Sequence, residues 1–283
     1  LSLFRIPPLK AGLVTLFAMN VVFMGVFFIL PLYLQIVLGL DALDTGLRLL
    51  PMSLVMFVVS FCGGPLLTVM SPRTIIRLSL LIMIGSVTVL LMTLEPTLRQ
   101  EYFALSMALL GAGMGLMASQ LGNVILSSVE SESRSEAGGL QYTAQQLGSA
   151  VGVAVIGSFV MTGLASAYIN LLDRNPAVGP ATVTAVEVDL SNGTKFVPAA
   201  EAESVAAAEG FTGSVADELV ATYEAAQLQA LKTGLLAAAG VAALTLLVTG
   251  GLPSERLREL AEAQTDSAGA RTVAGQPSLE KPG

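Results

Sequence analysis

Six stretches of this chain run for 17 to 36 residues without a charged side chain, and that pattern leaves few folds open. The stretch between Lys10 and Asp41 holds thirty uncharged residues, and Arg48 to Arg73 encloses twenty-four. Glu101 to Glu130 encloses twenty-eight, Glu136 to Asp173 thirty-six, and Lys232 to Glu255 twenty-two. The shortest, Arg77 to Glu95, encloses seventeen, and the long Arg77 stem can carry its guanidinium to the membrane surface. A helix rises about 1.5 Å per residue and the hydrocarbon core is about 30 Å thick, so about 20 apolar residues cross it. The runs therefore predict an all-α membrane protein, a six-transmembrane-helix bundle. The five spans within residues 1–164 are expected at about 12–38, 46–69, 75–94, 102–126 and 139–164, and the sixth at 231–251.

Composition narrows the chemistry. Only 12% of residues are charged, against about 25% in an ordinary soluble domain. With no His and a single Cys, Cys62, the chain has no means to build an internal disulfide, a Cys/His zinc site or a His-based triad. No basic cluster suggests nucleic acid. Nine of the twenty-one acids fall between Asp173 and Glu224, so the net charge of −7 describes one polar segment rather than the whole surface. Gly113 and Gly115, followed by Ala118, fit a dinucleotide-binding spacing, but that motif needs a strand before it and a helix opening at the glycines. Here they lie inside an uncharged helix, where packing is their role. No Asp, Glu, Lys or Arg falls within the uncharged runs, which removes an intramembrane catalytic or proton-relay acid. We expect no enzyme, no catalytic residue, no metal and no cofactor. The chain begins at Leu1 without an initiator Met or a signal-peptide pattern and reads as a piece of a longer protein.

With six spans, both termini lie on one side. That side carries Arg5, Lys10, Arg73, Arg77, Arg134, Arg256 and Arg258, while the short opposite loops carry Arg48 and Arg99. Lys and Arg accumulate on the cytoplasmic side, so both ends are expected inside a plasma (inner) membrane. Residues 165–230 then form an external loop. Loose alternation over 186–197 around Asn192-Gly193 suggests a small hairpin. Residues 214–231 read as a helix, with Leu219, Tyr223 and Leu228 on one stripe, continuing into the last span. The tail 252–283 is polar and rich in Ala, Ser, Gly and Pro, the composition of a disordered cytoplasmic segment.

What remains inside the spans is small residues and amides. Gly111, Gly115, Ala118 and Gly122 share one face of the fourth span, a surface on which a neighbouring backbone can close in. Gly113, Leu116, Gln120, Asn123 and Ser127 share nearly the opposite face. In the fifth span Gln141, Gln145, Gly148 and Gly152 form a stripe. Asn20, Phe23, Met24, Phe27 and Pro31 gather on one side of the first span, where Pro31 should kink the helix. An amide facing lipid is costly, so these faces must meet protein or a cavity. Asn20, Phe23, Phe27, Gln120, Asn123 and Gln145 are candidates for a cavity wall, although interhelical hydrogen bonding is an equally natural use of Gln120 and Asn123. Gly111, Gly115, Gly122, Gly148 and Gly152 are candidates for helix packing.

Several segments resemble a known family. Leu3-Phe4-Arg5, Leu30-Pro31-Leu32-Tyr33-Leu34-Gln35, Gly39, Gly46 and Leu50-Pro51 are similar to the C-terminal half of the fourteen-span drug:proton antiporters (EmrB/QacA type) of the major facilitator superfamily. Gly139-Leu140-x-x-Thr143-x-Gln145-Gln146-Leu147-Gly148-Ser149-Ala150-Val151-Gly152 resembles the penultimate span of that family. The resemblance covers residues 1 to about 251 and implies that these are the last six of fourteen spans. It implies proton-coupled efflux of small amphipathic or hydrophobic compounds by alternating access, with the proton-carrying acids in the missing N-terminal half. The turn from Gly63 to Arg73 resembles the superfamily's Gly-rich basic inter-helix motif without its acidic residue, and it makes Arg73 a candidate cytoplasmic gate, with a simple positive-inside anchor as the equal alternative. The rival readings are an exporter of one dedicated metabolite and a structural membrane subunit that transports nothing.

The orientation can be tested with single cysteines. In a Cys62→Ser background, cysteines at Ser71, Ser133, Thr97 and Ser191 are exposed in turn to a membrane-impermeant thiol reagent outside intact cells. Labelling is expected at Thr97 and Ser191 only, and labelling at Ser71 or Ser133 reverses the topology.

Overall fold

The computed structural model describes residues 6–66, 69–96, 98–175, 178–191, 196–208 and 210–252, with the backbone alone at 62–65, 123, 131, 181, 188–191 and 251. The first span is α1 (Pro7–Pro31), prolonged by a π-helical segment over Leu32–Val37. Then come α2 (Ala42–Leu66), α3 (Pro72–Thr93), α4 (Gln100–Ser127) and α5 (Arg134–Asp173). Two short helices follow, α6 (Pro180–Ser191) and α7 (Ala199–Ala208), before α8 (Ser214–Val248) ends in a single 3-10 turn. Six of these helices, α1 to α5 and α8, are long and apolar enough to cross a membrane. No strand occurs among the described residues.

Local chemistry opens each helix. Prolines at the first positions of α1 and α3 suit backbone sites whose N–H would lack a partner anyway. Ser71 caps α3, its hydroxyl accepting from Thr74 N at 3.4 Å. At the start of α2, Asp41 Oδ1 accepts from Asp44 N at 2.7 Å. Glu101, Glu136 and Asp217 occupy the first turns of α4, α5 and α8, where the positive end of the helix dipole favours an acid.

The helices interleave rather than pack in chain order. α1 lies against α5 and α8, and α4 lies against α2 and α3. Glycine sets how close the pairs come. A Cβ added at Gly152 would fall 2.5 Å from the Val21 carbonyl oxygen, and one at Gly148 would strike the Phe17 carbonyl. The α2–α4 seam repeats this: a Cβ at Gly115 would fall 2.7 Å from the Met56 carbonyl oxygen, and one at Gly111 would strike the Met52 carbonyl. The opposite face of α4 meets α3, where a Cβ at Gly113 would lie 2.5 Å from Met83 Cγ. Gly122 differs. Its nearest neighbour is the side-chain Nε2 of Gln141 at 3.7 Å, an ordinary contact, because α4 meets a side chain there and not a backbone.

The segment between α5 and α8 is mostly helix. α5 runs on to Asp173 and α8 begins at Ser214, so both helices project past any one bilayer thickness. Leu172, Val178, Val183 and Leu219 form a small separate core where these projections meet α6. The hairpin suggested over 186–197 is not what the backbone adopts: α6 covers its first half, and residues 192–195 lie outside those described. Pro180 opens that helix, and Val183 and Val186, three residues apart, both turn towards Leu172 and Leu219. A helical period thus explains the apolar positions that alternation also fits. Tyr168 and Tyr223 meet edge to face, their ring centroids 5.3 Å apart. Gln227 Nε2 donates to Val197 O at 2.7 Å, and Val197 N donates to Tyr223 Oη at 3.1 Å, which ties the stretch before α7 to α8. The sequence-based expectation of a disordered tail falls on residues that are not described beyond Leu252.

Gly115→Ala and Gly152→Ala should each destabilise the detergent-solubilised protein by about 1–3 kcal/mol, read as a lower melting temperature. Gly122→Ala should leave it unchanged, and equal melting of all three variants would remove the distinction between seam and open glycines.

Candidate functional site

Among the described residues, Pro31 shapes the region of the spans where the helix period breaks. A proline has no N–H, so the Phe27 carbonyl loses its usual helical donor. The chain continues in wider turns: Leu38 N bonds back to Tyr33 O at 3.0 Å and Leu40 N to Leu34 O at 3.0 Å. Gly39, at φ +66°, then ends the segment in the left-handed conformation that glycine adopts without strain. Tyr33 and Leu34 point inward and are buried. The Tyr33 hydroxyl donates to both Glu95 O (2.9 Å) and Thr93 O (3.1 Å), pinning this end of the first span to the end of α3. The Tyr33 ring packs against Phe103 of α4.

With Tyr33 held inside, the other face of the segment opens a cleft of about 370 Å³. Met24, Phe27 and Phe28 line it from α1, then Pro31, Leu32, Gln35 and Ile36, with Val153 from α5. The cleft is shallow and more open than enclosed. The lining is apolar and aromatic except for the Gln35 amide, and it holds no charged side chain. Phe27 is 38% exposed and leans on Phe23 at a centroid distance of 5.8 Å. Gly157 lets the Phe28 ring lie against α5, where an added Cβ would sit 3.4 Å from Phe28 Cε1.

The sequence-derived candidates scatter relative to this cleft. Phe27 lines it and Phe23 supports Phe27. Asn20 is buried in the α1–α5 seam beside Gly148, with its Nδ2 donating to Leu16 O at 2.9 Å. Gln120 is fully buried, and its Nε2 donates to Ser119 Oγ at 3.0 Å. Nearby on that stripe Leu116 packs with Ile75 of α3, so these residues meet protein and not an open space. Gln145 is exposed on α5, roughly 12 Å along the axis from Val153. The Asn123 side chain lies outside those described. Arg73 sits at the opposite end of the bundle, in the first turn of α3. Phe28, Ile36 and Val153 were not singled out from sequence, and Leu32 and Gln35 stood there only within the motif that carries the family resemblance. The available signal was Pro31 followed one turn later by an amide, but a regular 100° wheel misplaces every residue after the π turn.

Bundle, cleft and spans define a multi-pass α-helical membrane protein. The chain belongs to the Major Facilitator Superfamily, which its residues 1–153 match. It is 31% identical over 189 residues to the tetracenomycin C resistance and export protein of Streptomyces glaucescens, covering 66% of this chain and 35% of that protein. It is 32% identical over 157 residues to the puromycin resistance protein pur8 of Streptomyces alboniger, covering 54% and 31%. It is 26% identical over 159 residues to the multidrug efflux pump LfrA of Mycolicibacterium smegmatis, covering 56% and 31%. The matched part of the chain thus spans about a third of the length of these relatives.

Single cysteines at Phe27, Gln35 and Gln120 in the Cys62→Ser background separate cleft from core. A small membrane-permeant maleimide should modify Phe27→Cys and Gln35→Cys at least about tenfold faster than Gln120→Cys, because Gln120 is sealed by its neighbours. Equal rates would mean that Gln120 also faces open space.

Proposed function

We propose that this chain is the C-terminal half of a fourteen-span, EmrB/QacA-type transporter that exports small amphipathic or hydrophobic compounds by alternating access, driven by proton entry. The observation that carries this reading is the cleft beside α1: apolar, aromatic, bearing one amide and no fixed charge. Such a wall binds flat greasy molecules by area and selects weakly among them. Three related proteins are named for antibiotic resistance, export or multidrug efflux, which fits that chemistry. Their greater length supports a missing half, as does the apolar face of α2, on which Leu54, Phe57 and Phe61 are 58%, 64% and 69% exposed. Proton coupling belongs to the missing half in this reading, since the uncharged cores hold no acid to carry a proton.

Phe23, Phe27, Gln35 and Gln145 are the proposed substrate-facing residues, and Asn20 and Gln120 the proposed scaffold amides. Arg73 keeps a proposed place at the cytoplasmic end. In the complete protein, Phe27→Ala and Gln35→Ala should keep membrane abundance and change the ranking of resistance among dissimilar drugs. Asn20→Ala and Gln120→Ala should lower abundance and weaken resistance to every drug together. Uniform loss from Phe27→Ala and Gln35→Ala, tracking protein level, would assign the cleft to packing. The 283-residue chain reconstituted alone should show no uptake of an efflux dye driven by a proton gradient.

A further inference from the structure

At the end of the bundle opposite the cleft, two arginines one turn apart on α3 face the end of α8. Arg77 Nε donates to Thr249 Oγ1 at 2.9 Å, which leaves its terminal N–H groups unspent on an exposed side chain. Arg73 lies beside it, with Nη2 3.8 Å from the position a Cβ would take at Gly250. Its Nε is buried and has no hydrogen-bond partner among the described residues. Because the Arg73 Nε is enclosed, an anion would meet this pair through the terminal N–H groups of the two guanidiniums. No described carboxylate pairs with either arginine; the ion pair among described residues, Arg99 with Glu95, lies at the other end of the bundle. The positive end of the α3 dipole adds to the same field.

Below this pair the surface turns apolar. Leu78 and Leu81 on α3 are exposed, as are Leu244, Leu247 and Val248 on the last turns of α8, and the two helices touch. Two guanidiniums at the membrane surface above an exposed apolar strip match an amphiphile whose anionic phosphate sits above its acyl chains. We propose that Arg73, Arg77 and the end of α8 form a binding site for the phosphate of an anionic phospholipid, with its chains lying along α3 and α8. Guanidinium is suited to this because its planar fork of donors meets phosphate oxygens two at a time. The ligand also joins the end of the last span to α3, which the Arg77–Thr249 bond alone does at a single point.

The test uses the native-length protein in nanodiscs of phosphatidylcholine and phosphatidylglycerol in equal amounts, followed by native mass spectrometry of the lipids retained on extraction. The wild type should keep phosphatidylglycerol over phosphatidylcholine on the order of thirtyfold, from about 1 kcal/mol for each of two basic residues near the surface. Arg73→Ala with Arg77→Ala should abolish the preference, and Arg73→Lys with Arg77→Lys should retain most of it. Circular dichroism and size-exclusion elution check that each variant is folded. Should the alanine pair fail to fold, the wild-type preference and the single variant Arg73→Gln still decide. No preference in the wild type, or an undiminished preference in folded Arg73→Gln and in the alanine pair, overturns the proposal. Displacement of the lipid by inorganic phosphate at equal concentration also overturns it, by showing a site for free phosphate.

Discussion

The close approach of helix backbones at four glycines is the constraint on which the rest of this bundle depends. Inside a bilayer, lipid is as apolar as leucine, so helices gain nothing from hiding greasy side chains from their surroundings. What remains is contact, and contact is densest where a glycine lets a neighbouring main chain in. Gly148 and Gly152 bring α5 onto the Phe17 and Val21 backbone of α1, and Gly111 and Gly115 bring α4 onto the Met52 and Met56 backbone of α2. The carrier differs between the two seams: α5 supplies the glycines to α1, whereas α4 supplies them to α2. A third contact, Gly113 against Met83, turns the other side of α4 to α3. α4 therefore carries glycines on two nearly opposite faces, and it holds two neighbours at once.

These seams leave the ends of the helices to be tied by polar groups. At one end Tyr33 bridges the first span to Thr93 and Glu95, and at the other Arg77 bridges α3 to Thr249. Both ties join segments far apart in sequence, and each uses a side chain long enough to reach from an apolar stem to a polar end. The Tyr33 tie also decides which side of the π segment faces outward. With Tyr33 and Leu34 turned in, Leu32, Gln35 and Ile36 must turn out, and the cleft forms on their side. One missing N–H at Pro31 thus propagates into the shape of the bundle surface.

Asn20 and Gln120 illustrate how an amide in a membrane helix can be read two ways. The cost of an unmatched amide at membrane depth requires a partner but does not say whether that partner is protein, water or ligand. Here the partners described are near in sequence, Leu16 O for Asn20 and Ser119 Oγ for Gln120, and both side chains are enclosed by neighbouring helices. Gln35, at the end of a span and in a stretch whose period is broken, is the amide that reaches the cleft.

The number of helices long and apolar enough to cross a membrane was legible in the sequence, because an uncharged run of sufficient length has one stable solution in a bilayer. The sites of backbone contact were partly legible too, since small residues four apart mark a face that another helix can approach. Gly122 shows the limit: it continues the Gly111–Gly115 face, yet a side chain and not a backbone meets it. Which helices pair could not be read, because α1 meets α5 and α4 meets α2 across long stretches of chain with no charge complementarity to mark them. Over 180–191 the apolar positions fit both a helical period and alternation, and the packing of Val183 and Val186 against Leu172 and Leu219 goes with the helix. The cleft was decided last, by the π segment after Pro31 and by the Tyr33 hydrogen bonds to a distant loop. A sequence carries the proline and the tyrosine, but only the packed helices place a carbonyl pair within reach of that hydroxyl.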